Sequence, residues 1–165
     1  MAKDFKMIAK TFYGFEDILA EELLALGAQK IIKGNRNVSF FGDKGFLYKS
    51  NLSLRTALKI LKPVLEFRFK DINEYYDNIY SFKWENYIDP TGSFLINSVV
   101  FHSIVFNNSK FTSLKAKDAI VDRIRDKFKK RPSINSFNPE LRIEIHVNRN
   151  KCTISLDSSG ESLHK

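Results

Sequence analysis

Cysteine occurs once in the 165 residues, tryptophan once, proline four times and glycine seven times. A lone thiol, Cys152, makes neither a disulfide framework nor a cysteine-based zinc cluster, and it reads as a small core residue of a strand rather than a nucleophile. The glycines never fall into G-x-G-x-x-G or P-loop spacing, and the closest pair is Gly42 and Gly45; a nucleotide or S-adenosylmethionine cradle normally needs such a turn. There is no G-x-S-x-G, and His102, His146 and His164 are too scattered for a metal-ligand set. Neighbouring acids such as Glu21 and Glu22 do not face each other on a helix, so they read as solvated charge. No apolar run approaches the roughly 18 residues of a membrane span, and the opening MAKDFKMIAK lacks the apolar core of a signal peptide. These absences predict a cytoplasmic, membrane-free chain with no catalytic centre, cofactor site or metal site of its own.

What is abundant is positive charge and phenylalanine. The formal charge is +8, and phenylalanine occurs 15 times. The charge is unevenly spread: residues 1–70 carry net +6, 71–109 net −4, 110–131 net +6 and 132–165 net zero. Phosphate backbones are the common partners of such dense positive segments.

Periodicity predicts an α+β chain. Phe5 to Phe12 alternates as a strand. FEDILAEELLALG has helical spacing at Ile18, Leu19, Leu23 and Leu26, acids in its first turns and Gly27 at its C-cap. Lys30 to Phe41 reads as a hairpin around Gly34-Asn35-Arg36-Asn37. A weaker helix spans Asp43 to Leu54, and a long strand spans Thr56 to Phe69, where Pro63 implies an edge or a bulge. That order is the order of a ferredoxin-like unit. An acidic, aromatic, helical stretch follows and ends at Pro90-Thr91-Gly92. The expected boundary lies between about Phe69 and Asp71, giving domains 1–69 and 70–165. Ser93 to Val105 reads as a strand, Thr112 to Lys130 as a helix stopped by Pro132, and Ser133 to Pro139 as a loop. Leu141–Asn148 and Lys151–Asp157 form a hairpin with alternating faces.

The segment KFTSLKAKDAIVDRIRDKFKKR concentrates nine basic side chains. Asp118, Asp122 and Asp126 recur every fourth residue within it, so part of the charge is expected to pair internally. Lys110, Lys115, Lys117, Arg123 and Arg125 are the candidate phosphate contacts, with Lys10 and Arg36 in the first domain. Asn108 and Ser109 stand where donors at a helix start meet phosphate. Tyr75, Tyr76, Tyr80, Trp84 and Tyr87 have faces that stack bases, yet their acidic helical setting favours packing. A competing reading makes residues 71–89 a docking surface for a protein partner.

Asn108-Ser109, Phe111 and Lys117-Asp118-Ala119-Ile120-Val121-Asp122 stand in an order that resembles the THUMP domains of large-subunit rRNA guanine-N2 methyltransferases, also labelled N6-adenine-specific DNA methylases. YGFEDILAEELLALGA resembles that family's small N-terminal ferredoxin-like domain. The resemblance implies a THUMP domain with a mixed sheet and packed helices, which grips structured RNA, rRNA above all, for a methyltransferase domain in cis that uses S-adenosylmethionine. The ending SSGESLHK resembles the family's join to that domain, so the chain is expected to be a piece of a longer protein.

Overall fold

The computed structural model describes residues 3–158. They form two compact units. The first runs to Pro63 and takes in Asp157 and Ser158, and the second runs from Val64 to Leu156. The units part inside one continuous strand, which leaves no polar linker for a sequence to display.

In the first unit the order is β1 (Phe5–Lys10), α1 (Glu16–Leu26), β2 (Gln29–Gly34), β3 (Asn37–Gly42), α2 (Lys44–Ser53) and the start of β4 (Lys59–Arg68). The strand order is β2-β3-β1-β4, with every neighbouring pair antiparallel. Strands β1 and β2, joined through α1, therefore flank β3. This is the split βαβ arrangement of the ferredoxin-like fold. Alternation decides the faces: Met7 and Ala9 on β1 and Val38 and Phe40 on β3 are fully buried against Leu19 and Leu23 of α1. Gly27 ends α1 at φ +102°, a left-handed conformation that glycine adopts without strain. Asp43 caps α2 by accepting from the Phe46 N–H at 2.8 Å. Pro63 lies past Leu61, the last β4 residue in the register with β1.

The second unit holds the rest of β4, α3 (Ile72–Tyr80), a 3₁₀ turn at Trp84–Asn86, β5 (Ser93–Phe101), α4 (Ser109–Phe128), β6 (Ser133–Ile134), β7 (Leu141–Asn148) and β8 (Lys151–Asp157). Strand β5 pairs in parallel with β6 and β7, and β7 pairs antiparallel with β8. Helix α4 is the crossover of a β5-α4-β7 unit. Thr112, Ala116, Ile120 and Ile124, one turn apart each, are fully buried on it. Around them lie Phe69, Tyr75, Trp84, Phe94, Phe106 and Ile145. The Trp84 indole N–H donates to the Ile79 carbonyl at 2.8 Å, and the Tyr75 hydroxyl to the Thr112 carbonyl at 2.9 Å, so neither polar end is stranded. Cys152 is buried in β8, and burial pushes its thiol up to about 12, as a core residue requires.

Several ends differ from expectation. Strand β5 stops at Phe101, because His102 takes a φ of +53°. Helix α4 ends at Phe128, well before Pro132, because Lys129 adopts φ +59° and returns its N–H to the Arg125 carbonyl. A two-residue strand, β6, interrupts the loop expected at Ser133–Pro139. From residue 159 onward the ending SSGESLHK lies outside the described residues.

Candidate nucleic-acid interface

Helix α4 has two different halves. Its start is capped by Asn108, whose side chain accepts from the Phe111 N–H at 2.9 Å. Asn108 thus spends its acceptor inside the helix, and Ser109 is the first helical residue. The cap borders an open cleft of about 450 Å³ lined by Ser98, Val99, His102, Asn107 and Ser109, among others. Lys110 is exposed. The Lys115 ammonium stands 5.8 Å from the Phe111 ring centroid, a cation–π geometry. Lys117 reaches Asp118 at 3.4 Å.

The second half faces α3 and is bound to it. The acidic stripe read as internal pairing is mostly a ledge for tyrosines: Tyr76 donates to Asp122, and Tyr80 donates to Asp126 at 2.7 Å. Both pairs step by four residues, so two packed helices present matching ladders. The carboxylates draw the phenol protons closer, and both tyrosines are held above the ordinary phenol value, Tyr76 chiefly by burial and Tyr80 chiefly by its bond to Asp126. Internal pairing also occurs, as Arg125 meets Asp122 at 2.9 Å.

Arg123, one of the expected contacts, is engaged inside the fold. Its Nε and Nη2 grip Glu85 at 3.1 and 3.0 Å, and its Nη1 donates to the Tyr80 carbonyl at 3.3 Å. Lys127 adds a contact to Glu85 at 2.8 Å. Side-chain exposure is 17% for Arg123 and 10% for Glu85, so the ion pair is largely withdrawn from solvent. The bond from Arg123, then that from Lys127, hold the Glu85 carboxyl at about 2 despite burial. Glu85 was not singled out by sequence reasoning, and no local pattern marks a partner 38 residues away.

The remaining candidates lie in the first unit. Arg36 is exposed at the β2–β3 turn with φ +60°, and Lys10 is half-buried at the end of β1. Several aromatics of 71–89 are engaged within the fold: Tyr75 and Trp84 are fully buried, Tyr76 and Tyr80 of α3 bond to aspartates of α4, and Tyr87 stacks on Phe82 at 5.7 Å. His146 lies on the exposed face of β7 beside Phe101.

Among the described residues no group of three or more His, Cys, Asp or Glu is placed to hold a metal ion, and no helix is long and apolar enough to cross a membrane. The β5–α4 connection, where a doubly wound sheet would carry a glycine-rich cofactor turn, contains no glycine between Phe101 and Ser109. That connection therefore does not offer the glycine-rich turn in which S-adenosylmethionine normally sits.

Two family profiles match: a THUMP domain over residues 69–157 and an RlmL ferredoxin-like domain over residues 6–61. The ribosomal RNA large subunit methyltransferase K/L of Syntrophotalea carbinolica is 36% identical over 165 residues, all of this chain but 23% of that protein. A possible methylase from Clostridium difficile 630 superposes with a TM-score of 0.80 at 27% identity, over 99% of this chain and 43% of the other. A putative methyltransferase complexed with SAH superposes at 0.74 with 29% identity, over 95% and 42%. The chain thus spans less than half the length of each of these three proteins.

Proposed function

The chain belongs to the THUMP domain family, and we propose that it is the RNA-gripping part of a longer, cytoplasmic methyltransferase. Its named relative acts on large-subunit ribosomal RNA, so structured rRNA is the partner assigned. The catalytic domain, with its S-adenosylmethionine, is assigned to the part of the protein outside this chain. The contacts are Lys110, Lys115, Lys117 and Arg125 on α4, with Asn108 and Ser109 shaping the loop before it and Lys10 and Arg36 contributing from the first unit. Arg123 is left out.

The division of α4 carries this reading. Glu85, Asp122 and Asp126 are engaged by α3, the 3₁₀ turn and the second half of the helix. These three carboxylates bond to Tyr76, Tyr80, Arg123, Arg125 and Lys127 rather than to Lys110, Lys115 or Lys117, of which Lys117 meets Asp118 instead. Ammonium groups of this kind, on a rigid helix, suit an RNA recognised by shape and backbone rather than base sequence.

Filter-binding titration with structured rRNA tests it. Affinity should fall as salt rises, with a logarithmic slope of about −0.7 to −0.9 per phosphate neutralised. Reversing Lys115 and Lys117 to Glu should abolish binding. Salt-independent binding, or binding untouched by the double reversal, refutes the assignment.

A further inference from the structure

One end of the first unit is knitted from three loops. The Thr11 N–H donates to the Arg36 carbonyl at 2.9 Å, and its hydroxyl to the Thr56 carbonyl at 2.6 Å. The Leu58 N–H donates to the Lys10 carbonyl at 2.7 Å. Two carboxylates of α1 complete the weave. Glu16 accepts from the N–H groups of Gly14 and Arg36 at 2.8 and 3.0 Å. Glu22 accepts from those of Arg55 and Thr56 at 2.9 and 3.1 Å, and from the Thr56 hydroxyl. Both acids therefore turn their oxygens into the backbone.

Out of this rigid base stand three aromatic rings. The Phe15 N–H donates to the Phe12 carbonyl at 3.1 Å, closing a tight turn whose third residue, Gly14, has φ +90°. A turn of that type needs glycine at that place and sets Tyr13 on its corner. Tyr13 is 75% exposed, Phe12 59% and Phe15 43%. The rings of Phe12 and Phe15 meet edge to face at 6.1 Å. Arg36 and Arg55, on the loops bonded to this turn, are exposed as well. Apolar rings held in water by a hydrogen-bonded frame, with exposed arginines on the loops bonded to that frame, are the components of a base-stacking site: every base offers a face to stack, and arginine takes the phosphate between bases.

We propose that the β1–α1 turn is a platform for unpaired RNA nucleotides, with Phe12, Tyr13 and Phe15 stacking bases and Arg36 and Arg55 holding the adjoining phosphates. This rests on the RNA reading above and extends it from duplex backbone to single-stranded nucleotides.

The test compares two RNAs on the 165-residue chain: a blunt hairpin and the same hairpin with a single-stranded extension. The extension should tighten binding by about tenfold or more, the worth of one base–aromatic stack. Phe12→Ala with Tyr13→Ala should erase that gain and leave blunt-hairpin affinity unchanged. The Lys115→Glu, Lys117→Glu variant should lose both. Tyr13→Trp should keep the gain, and its indole emission should be quenched by the extended RNA alone. The platform is refuted if the aromatic double variant still gains from the extension, or if it loses both RNAs equally. It is also refuted if the parent self-associates through these rings while RNA binding ignores them. Should the parent bind neither RNA, the RNA reading itself falls. Should it bind the blunt hairpin through Lys115 and Lys117 with no gain from the extension, only the platform falls.

Discussion

Each unit buries some aromatic rings and exposes others, and the contrast lies between the central cluster of the second unit and the β1–α1 turn of the first. In the second, Phe69, Tyr75, Trp84, Phe94 and Phe106 are buried to 2% exposure or less, and each polar end finds a carbonyl. In the first, Phe12, Tyr13 and Phe15 stand in solvent on a turn fixed by backbone hydrogen bonds. The basic charge differs in parallel. It is gathered on one helix in the second unit and spread over loops and strand ends in the first. Burial against two helices and a sheet is what a ring does when the fold needs it. A ring left outside a rigid turn contributes little to folding, so its removal should be felt elsewhere.

That contrast is open to direct attack. The harshest blow is Trp84→Ala, which empties a fully buried site and should cost about 3–5 kcal/mol in urea denaturation. A loss under about 1 kcal/mol would mean that the buried cluster does not hold the second unit. Next comes the clamp. Arg123→Ala leaves Glu85 short of its main partner and should cost about 3 kcal/mol, with salt-dependent RNA affinity of the folded variant unchanged. The same clamp sets a pH dependence. Glu85 is held at about 2 against an ordinary 4.5. A carboxylate whose folded value is depressed stabilises the protein fully above about 4.5 and loses that contribution as pH falls toward 2. The Tm difference between parent and Glu85→Gln should therefore be full at neutral pH and shrink across that window; a constant difference would rule out the charge as its source. Tyr76→Phe removes a donor from Asp122 and should cost about 1.5 kcal/mol, measured by thermal unfolding. Smallest of all, Phe12→Ala with Tyr13→Ala should shift stability by less than about 0.5 kcal/mol; a large loss would make those rings part of the core after all.

The sequence carried much of the fold. The bounds of the β7–β8 hairpin are read correctly to the residue, because on β7 one face is core and the other is not, and a one-residue slip would exchange them; on β8 the second face is buried too, at Ser155 and Asp157. Helix α1 and its Gly27 cap follow from spacing and from glycine's freedom at positive φ. Strand β5 and helix α4 stop short of their expected C-terminal ends where a non-glycine residue takes a left-handed conformation, at His102 and Lys129. Such turns are decided by surrounding hydrogen bonds, and no residue type announces them. The candidate interface was legible in outline through the basic run and the residues ahead of it. Its sorting was not. Lys117 and Arg123 look alike in sequence, six positions apart, yet one stands beside Asp118 and the other is locked onto Glu85.

By itself, then, the sequence determined periodicity, charge blocks and the βαββαβ order, because these depend on contacts between near neighbours and on which face of an element is apolar. The tertiary structure alone decided which charges are spent. Asp122, Asp126 and Glu85 are claimed by partners 38 to 46 residues distant, and only the packing of α3 and the 3₁₀ turn against α4 brings those groups within hydrogen-bond reach.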